Sequence, residues 1–531
     1  MNIDIDQHFP MTQYRKGQKE IIDRILGAFI DRDKRFFLLD APTGTGKSVI
    51  AYTIAKCLGN AFYLTSTKIL QSQLEKDFND VVTLKGRNAY DCHYHEVMKR
   101  LGLPEDEITA YKDRHRSCAE GSCRLADQAK NELCVSADDP DNTICLYWRQ
   151  LFKALRAPIC ALNYKSFLYQ MQTRKNIFGE RNLLVLDEGH NVEHELMDYI
   201  GVTISNRLIP DLQINDLGSV SAFQESFQEQ KILELIEEAR RKAFFNQQMR
   251  LVDVLQRLLF KCSFFLKMNP DEWAYNFRSE KGQASVEFKP IYIRNFTNRL
   301  FDRAQHILIM SGTLLNSQMI MDFLGIDPAD AECFRMANRF PIGNRPIYKS
   351  YAGSMSFKKK HQTMPKLIKE VERICKHYQE YRGIIHTHNF EIAEKLMENC
   401  TRDVSSRFLF QRHFWNKEEM LQEHQKRTNG IIVAPAMHEG LDLFNDRSRF
   451  QLICKMPYPN FNADNQLKKR MKQSPNYYQY LTALKLVQSV GRSVRSEKDW
   501  ADTYVLDEDF ERFIRWNRFT LPKWFIEAIH E

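Results

Sequence analysis

The sequence lacks the features of a membrane or secreted protein. No stretch approaches the roughly 18 apolar residues that a membrane-spanning helix needs. The first residues, Met1–Asp6, contain neither the basic nor the apolar region of a signal peptide. We therefore expect an intracellular, cytoplasmic protein that has no membrane partner.

Charge of one sign is not in large excess either. The net charge is +8 over 531 residues, and 27% of the residues are charged while 43% are hydrophobic. This composition allows several cores, and a chain of this length predicts about three to four domains. The mild basicity is compatible with a nucleic-acid partner but is also common in proteins that bind none.

The twelve cysteines include no C-x-x-C pair, which is the spacing typical of a zinc ribbon or finger. Disulfides are not expected in a reducing compartment. Four converging thiolates can hold an iron–sulfur cluster across long spacers, so clustered cysteines favour such a centre over unrelated reduced thiols. Half of the cysteines lie in one segment: Cys92, Cys118, Cys123, Cys134, Cys145 and Cys160.

The sequence does contain a nucleotide-binding pattern. A strand predicted over Phe36–Asp40 and a helix predicted over Val49–Lys56 flank the turn Ala41-Pro42-Thr43-Gly44-Thr45-Gly46-Lys47-Ser48. Backbone N–H groups of such a turn, together with the positive end of the helix dipole, bind phosphate. Lys47 can reach the β- and γ-phosphates, and the Ser48 hydroxyl can bind Mg²⁺. The pattern predicts an ATP site, although Ala41 replaces its usual first glycine.

A second predicted strand, Leu183–Leu186, ends in two acids, Asp187 and Glu188. At the end of a strand beside the phosphate-binding turn, Asp187 can hold Mg²⁺ through water. Glu188 can position and deprotonate the attacking water, which is the base that phosphate hydrolysis requires. We predict that these acids complete the hydrolytic site.

Polar residues near this site have two possible roles each. Arg15 and Gln18 precede a helix predicted over Lys19–Ile30, and the Gln18 amide can either read the adenine edge or face solvent. Thr67 follows the predicted strand Ala61–Leu64 and can either hold nucleic-acid phosphates or cap the next helix.

The later part of the chain has a different pattern of predicted secondary structure. Residues 200–295 predict a mostly helical inserted domain. A strand predicted over His306–Met310 then ends in Ser311-Gly312-Thr313, whose hydroxyl groups can link the nucleotide site to a neighbouring site. Further strands are predicted over Gly383–His388, Gly430–Pro435 and Phe450–Lys455.

A helix predicted over Leu486–Arg495 presents Gln488, Arg492 and Arg495 on one face. Two guanidinium groups so placed suit the γ-phosphate of a nucleotide bound to the other domain. The alternative is an exposed basic helix.

Taken together, these motifs resemble the iron–sulfur superfamily 2 helicases of the XPD/DinG group. The resemblance covers nearly the whole chain, and the motifs follow the order found in that family. Its blocks are APTGTGKS at 41–48, KGRNAYDC at 85–92, CLYW at 145–148, ALNY at 161–164, LDEGHN at 186–191, MSGTL at 310–314, GIIHTH at 383–388, EGLD at 439–442 and QSVGRSVR at 488–495. Two departures are Gly189, where the family has Ala, and Leu146, where it has Pro.

The resemblance implies an α/β fold with two RecA-like P-loop motor domains, and with a cluster domain and a helical arch inserted into the first. It implies a DNA helicase that uses ATP and Mg²⁺ to move 5′ to 3′ on single-stranded DNA and to open forked or tailed duplexes, acting as a monomer in DNA repair or replication. The implied boundaries are 1–84, 161–199 and 296–345 for motor domain 1, 85–160 for the cluster domain, 200–295 for the arch and 346–531 for motor domain 2.

Residue roles also follow from the resemblance. Cys92 and Cys145 match ligands of a 4Fe-4S cluster, and two more ligands must come from Cys118, Cys123 and Cys134, with Cys123 and Cys134 favoured. Cys160 matches a core position. Gly440 and Asp442 match nucleotide-site positions, and the implied DNA contacts are Thr67, Arg87, Tyr147 and Thr387.

Two other classes of protein are compatible with the sequence. One is an ATP-driven translocase or remodeller that moves on DNA or RNA without separating strands, which a strand-displacement assay beside an ATPase assay distinguishes. The other is a zinc-stabilised binding module that uses ATP only as a switch, which metal content and turnover distinguish.

Overall fold

The computed structural model describes residues 4–42, 44–121, 140–173, 178–338, 340–415, 417–435, 443, 445–494 and 496–530. Over these ranges, no helix is both long and apolar enough to cross a lipid bilayer.

Strands and helices alternate in the first third of the chain. The structure confirms the predicted helix Lys19–Ile30 and the predicted strands Phe36–Asp40 and Ala61–Leu64. Each observed end lies within one residue of the predicted one. The elements are α1 (Ile5–His8), α2 (Gln18–Ile30), β1 (Phe36–Asp40), α3 (Lys47–Cys57), β2 (Ala61–Thr65), α4 (Lys68–Asp77), β3 (Val81–Thr83), α5 (Tyr94–Arg100), α6 (Glu105–Arg114), α7 (Leu146–Arg156), β4 (Ile159–Asn163) and α8 (Tyr164–Thr173).

The middle third begins and ends with strands that complete the same sheet. Its elements are β5 (Arg181–Asp187), α9 (Val192–Ile200), β6 (Val202–Ser205), α10 (Val220–Glu229), α11 (Ile232–Phe245), α12 (Met249–Phe265), β7 (Trp273–Glu280), β8 (Gln283–Pro290), α13 (Asn298–Phe301), β9 (Ala304–Ser311), α14 (Ser317–Leu324) and β10 (Ala331–Arg335).

The last third of the chain forms a second α/β unit. Its elements are β11 (Ile347–Gly353), α15 (Lys360–His377), β12 (Gly383–His386), α16 (Phe390–Asn399), α17 (Arg402–Ser405), β13 (Phe408–Phe410), α18 (Lys417–Lys426), β14 (Ile431–Ala434), β15 (Phe450–Ile453), α19 (Asn465–Gln473), α20 (Tyr477–Val490), β16 (Asp502–Asp507), α21 (Asp509–Asn517), α22 (Lys523–Glu527) and β17 (Ile529–His530).

The strands form two separate seven-stranded parallel sheets. The order in the first is β10-β1-β9-β5-β2-β4-β3, and in the second it is β13-β14-β12-β15-β16-β11-β17. Every neighbouring pair in both sheets is parallel. The central strands are buried on both faces, which explains their continuous apolar sequences. This is the architecture of two RecA-like domains, as predicted.

The inserted domain after α9 is less helical than the sequence predicted. It contains the helices α10, α11 and α12, but it also contains a three-stranded antiparallel sheet in the order β6-β8-β7. Along β8, Ala284, Val286 and Phe288 are buried while the residues between them are more exposed. That two-residue period is typical of a half-buried strand, and the long helical repeats nearby obscured it.

The cysteine-bearing segment builds no separate core in the part that the structure describes. Val97, Ile144, Tyr147 and Leu151 are buried in the same apolar cluster as the strands of the first sheet. The described part of the segment therefore packs against the first α/β unit.

A buried arginine joins the second α/β unit to the rest of the molecule. Arg470 on α19 is fully buried, and its Nη2 lies 2.6 Å from Oε1 of Glu193 on α9. Its Nη1 donates to the carbonyl of Ile291 at the end of the inserted domain, 2.8 Å away. The rings of Tyr292 and Tyr477 lie 4.2 and 4.4 Å from the guanidinium. The guanidinium of Arg470 therefore joins the second α/β unit to α9 and to the inserted domain.

We predict that Arg470→Leu lowers the free energy of unfolding by about 3–5 kcal/mol, because it leaves Glu193 as a buried carboxylate without its cation. Burial already raises the pKa of Glu193, and Arg470 opposes that shift. Urea unfolding followed by circular dichroism measures the change.

The matched control is Arg241→Leu, which removes an exposed arginine paired with Glu237 and should change stability little. The double variant Glu193→Leu with Arg470→Leu should be less destabilised than Arg470→Leu alone. Additive losses in the double variant would contradict a coupled buried pair.

Candidate active site

The phosphate-binding turn has the predicted strand–turn–helix geometry. Gly46 has a φ of +83° and caps α3, whose first helical residue is Lys47. The Lys47 amine donates to the carbonyl of Ala41, 3.1 Å away, and the Thr45 hydroxyl donates to the carbonyl of Pro42 at 2.8 Å. The backbone N–H groups at the start of α3 are therefore available to an anion. Thr43 lies outside the described residues.

Gln18 lies against this turn and does not face solvent. Only 2% of its surface is exposed. Its amide nitrogen donates to the carbonyl of Thr45 at 3.0 Å, and its amide oxygen accepts from the backbone N–H of Arg15 at 2.7 Å. The Arg15 guanidinium also donates to the carbonyl of Gly44. The solvent-facing interpretation is wrong, and both residues brace the turn; adenine contact by Gln18 stays a prediction.

The contact is so close that Gly46 has no room for a side chain. A Cβ atom there would lie 2.2 Å from the Gln18 amide nitrogen, in addition to the unfavourable positive φ. Glycine at this position is therefore required both by the conformation and by the neighbour.

The two predicted acids lie where β5 ends. Asp187 is buried and accepts from the Tyr63 hydroxyl at 3.3 Å. Burial, followed by the adjacent Glu188 carboxylate, raises the pKa of Asp187 to about 7, while Lys47 opposes the shift. A bound cation would favour its charged form. Glu188 has a φ of +52°, a conformation that is rare outside glycine and that recurs at functional sites.

His190 connects the two α/β units, a role that the sequence did not suggest. Its Nδ1 lies 2.6 Å from the Ser311 hydroxyl at the end of β9, and its Nε2 lies 2.5 Å from the Gln488 amide nitrogen on α20. Nδ1 is also 3.5 Å from a Glu188 carboxylate oxygen. One imidazole thus contacts the acid, the Ser311-Gly312-Thr313 motif and the second unit. In the sequence, the only indication of this role was that His190 lies two residues after Glu188.

The helix carrying Gln488 ends earlier than predicted. It stops at Val490, where the N–H of Gly491 donates to the carbonyl of Val487, so Arg492 lies on the turn beyond it and not on the same helical face as Gln488. The buried Ser493 hydroxyl donates to Ser448 at 2.9 Å and holds this turn against the second sheet. Arg495, Gly440 and Asp442 lie outside the described residues.

A cleft lies between the two α/β units. It brings residues from the phosphate-binding turn, the acid motif and the second unit to one surface. Its lining includes Pro42, Glu188, His190, Gly312, Thr313, Gln488 and Arg492. The separate motifs of the sequence therefore converge on one cleft.

Three of the candidate cluster cysteines are buried in one region. The Sγ atoms of Cys118 and Cys145 are 3.8 Å apart, and Cys118 donates to the carbonyl of Asp91, next to Cys92, at 3.1 Å. The hydrogen bond between these two thiols lowers the pKa of Cys145 and raises that of Cys118. The sequence-based prediction favoured Cys123 and Cys134 over Cys118 as ligands. The contact with Cys145 now supports Cys118 as a candidate ligand.

Cys123 and Cys134 lie outside the described residues. Within the described ranges, no group of three or more His, Cys, Asp or Glu side chains is arranged to hold a metal ion. The buried pair nevertheless fits a thiolate-bound centre in burial and chemistry. Cys160 is a core thiol of β4, and burial raises its pKa to about 12.

The implied DNA contacts have mixed outcomes. Tyr147 is only 2% exposed and its hydroxyl accepts from Gln170 at 2.6 Å, so its ring is not open to a base. Thr387 is fully buried and donates to the carbonyl of Asn389. Thr67 caps α4 by accepting from the N–H of Leu70 at 3.4 Å.

Arg87 is half-buried, and its guanidinium lies over the ring of Tyr147 at 4.3 Å. In this conformation Tyr147 and Thr387 serve the core, and Thr67 has the capping role that the sequence allowed. A phosphate contact by Arg87 stays a prediction.

The glycine within the acid motif is explained by packing. A Cβ atom at Gly189 would lie 2.4 Å from Cγ2 of Ile309 and 3.4 Å from the carbonyl of Met310. Ile309 is a fully buried residue of β9, and its branched side chain cannot move aside easily. The departure from the family's alanine thus reflects how closely this turn approaches β9.

We predict that Gly189→Ala lowers stability by about 1–3 kcal/mol through overpacking and also lowers the ATPase rate, because it displaces Glu188 and His190. Thermal unfolding and steady-state phosphate release measure both effects. Gly189→Ala combined with Ile309→Ala should recover part of the ATPase loss. Failure of the single variant to change either quantity would contradict this packing argument.

Comparison with known proteins agrees with this geometry. The family model described as "Helicase C-terminal domain" matches residues 371–528, and that described as "Type III restriction enzyme, res subunit" matches residues 11–235. The ATP-dependent DNA helicase YoaA of Haemophilus influenzae is 25% identical over 246 residues, which is 40% of this chain and 38% of that protein. The ATP-dependent DNA helicase CHL1 of Debaryomyces hansenii is 21% identical over 345 residues, or 56% of this chain and 41% of that protein.

The chain therefore spans about two fifths of the length of the curated relatives it matches. Similar solved structures cover much more. A structure of XPD helicase has a TM-score of 0.68 at 15% identity and covers 98% of this chain and 100% of that one. The structure of Xpd4 from S. tokodaii has a TM-score of 0.56 at 14% identity, covering 97% and 100%. At such identities the likeness shows a shared fold.

The fold and site define a P-loop α/β protein with two RecA-like domains and a cleft between them. Within that class, parts of the chain are similar in sequence to the ATP-dependent DNA helicases YoaA and CHL1, and its fold is similar to that of XPD helicase.

Proposed function

We propose that this protein is an ATP-dependent DNA helicase that moves 5′ to 3′ along a single strand and opens forked or tailed duplexes. The observation that supports it best is the cleft in which Pro42, Glu188 and Arg492 line one cavity. A nucleotide there would contact both domains, so hydrolysis can change their relative position. The direction of movement rests on the family resemblance.

The phosphates of ATP would lie on the turn before α3, where backbone N–H groups and the helix dipole favour negative charge. Lys47 would exchange its bond to the Ala41 carbonyl for the β- and γ-phosphates. Mg²⁺, bound through Ser48 and Asp187, would neutralise charge on the phosphates. Asp187 is suited to this task because it is buried beside Lys47 and gains its charged form when a cation is present.

Glu188 would orient the attacking water and accept its proton. Arg492 reaches the same cavity from the second domain and would stabilise the charge that develops on the γ-phosphate. His190 contacts Ser311 and Gln488. A change in the position or charge of Glu188 would therefore reach the second domain through this imidazole. Closing and reopening of the cleft would then move the two domains along the strand.

We propose that Cys92, Cys118 and Cys145, with one of Cys123 and Cys134, hold a 4Fe-4S cluster. The 3.8 Å contact between two buried sulfurs supports a thiolate centre at this point. The cluster would brace a segment that has little apolar material of its own and would place it where the duplex separates.

We predict that Glu188→Gln lowers DNA-stimulated ATP hydrolysis by about 100- to 10,000-fold, because the variant loses the base but keeps the shape of the site. ATP binding should be retained, as measured with a fluorescent nucleotide analogue. Strand separation should be lost on 5′-tailed duplexes, and the unmodified protein should not open 3′-tailed ones.

The matched control is Glu234→Gln, an exposed glutamate of the inserted domain that should leave both activities unchanged. DNA-stimulated hydrolysis without strand separation by the unmodified protein would favour a translocase. Absence of any DNA-stimulated hydrolysis would contradict the proposed function.

We predict about four irons and four sulfides per chain in protein purified without oxygen, lost in Cys145→Ser because one ligand is removed. Chemical iron and sulfide analysis with metal emission spectroscopy measures this. Cys333→Ser, a half-buried cysteine on β10, should retain the metal. Zinc in place of iron would exclude the cluster and leave the ATP site unaffected.

A further inference from the structure

Helix α21 presents two large aromatic side chains to solvent. Its buried face carries Phe510 and Phe513, which are 0% and 4% exposed. Trp516, in the last turn of the helix, is 80% exposed, and Phe519, just beyond the helix end, is fully exposed. Single exposed apolar residues are common, but two bulky exposed aromatic residues three positions apart in the chain indicate a contact surface.

Arginines surround these two rings. Arg512, Arg515 and Arg518 are all exposed, and they alternate with the aromatic residues along the chain. We define the Trp516–Phe519 surface by these five side chains: Arg512, Arg515, Trp516, Arg518 and Phe519.

The acids of the helix lie at its other end and have partners of their own. Glu511 accepts from the Tyr351 hydroxyl at 3.0 Å and pairs with Lys349 at 3.1 Å. Asp509, in the first turn, is 3.8 Å from Arg512. The half of the helix that carries the aromatic rings is therefore basic, which suits an anionic partner.

A row of aromatic rings packs behind the helix, starting from its buried face. Phe513 lies 6.2 Å from Tyr458, and Tyr458 is stacked on Tyr478 at 5.8 Å with an angle of 9° between the rings. The Tyr478 hydroxyl donates to the carbonyl of Pro459.

Pro459 itself lines a cleft of about 600 Å³. That cleft also contains His190 and Gln488 of the candidate site and Asn276 and Arg278 of the inserted domain. Packed aromatic rings therefore connect the buried face of α21 with the wall of this cleft.

We propose that the Trp516–Phe519 surface binds single-stranded DNA outside the motor cleft, with bases stacked on Trp516 and Phe519 and phosphates held by the arginines. Alternating aromatic rings and cations match the alternating bases and phosphates of a single strand, and stacking does not depend on sequence. This inference rests on the proposed DNA-translocating function and adds to it a second contact that would keep hold of the strand between steps.

The test compares the full-length protein with Trp516→Ala/Phe519→Ala, using fluorescence anisotropy of labelled oligo-dT of about 8 and about 30 nucleotides. Stacking losses predict at least about fivefold weaker binding of the longer strand. The shorter strand, which fills only the motor cleft, should bind the variant as tightly as the unmodified protein. The control is Phe245→Ala, which removes an 82% exposed ring from the inserted domain and should change neither affinity.

A second variant tests the arginines. Arg515→Gln/Arg518→Gln should reduce the slope of log affinity against log salt by about 1.4 for the longer strand, because each phosphate contact contributes about 0.7. ATPase activity saturated with the short strand should stay unchanged and shows that the variants are folded.

Two results would overturn the proposal. One is unchanged affinity of both variants for the longer strand while the unmodified protein binds and unwinds DNA, in which case the helicase assignment stands without this surface. The other is a concentration-dependent dimer that only the Trp516→Ala/Phe519→Ala variant loses, with DNA affinity unchanged, which would assign the surface to a second copy of the chain. If the unmodified protein neither binds DNA nor hydrolyses ATP, the proposed function itself fails.

Discussion

Parallel strands run in the same direction, so their carboxyl ends lie at one edge of a sheet and each pair must be joined by a crossover connection. In the first sheet β1, β9 and β5 are neighbours, so Asp40, Ser311 and Asp187 end side by side. The phosphate-binding turn follows β1, and the acid turn follows β5. The site exists because three separated sequence motifs are delivered to this one edge, which is where open α/β sheets generally bind their ligands.

The second constraint is the polar seam between the domains. His190 lies between Ser311 and Gln488, and Arg470 lies between Glu193 and the carbonyl of Ile291. Buried charges and imidazoles are expensive unless all their partners stay in place. Movement between the domains would have to exchange these contacts as a unit, which suits the proposed motor. Glu193 follows the proposed catalytic acid, Glu188, by only five residues, so the candidate site and a contact between the domains share one short stretch of chain.

The inserted domain is coupled to the second motor domain as well as to the first. Lys469 and Asn465 on α19 donate to the carbonyls of Trp273 and Tyr275 on β7, at 2.8 and 2.9 Å. Arg470, next to Lys469, contacts the end of β8. A shift of the second domain would therefore displace the inserted domain together with it. This arrangement would relate the proposed ATP hydrolysis to the position of a domain none of whose described residues lines the candidate site.

The sequence by itself determined the parallel strands, the P-loop, the acids and the order of the two motor domains, because apolar runs and phosphate-binding turns depend on local chain geometry. It did not reveal β7 and β8, the end of α20 at Val490, or the burial of Tyr147 and Thr387. Only the tertiary structure decided the contacts of His190, Arg470 and Cys118. Their partners lie far away in the sequence, and whether such a side chain is buried, paired or exposed depends on which distant element packs against it.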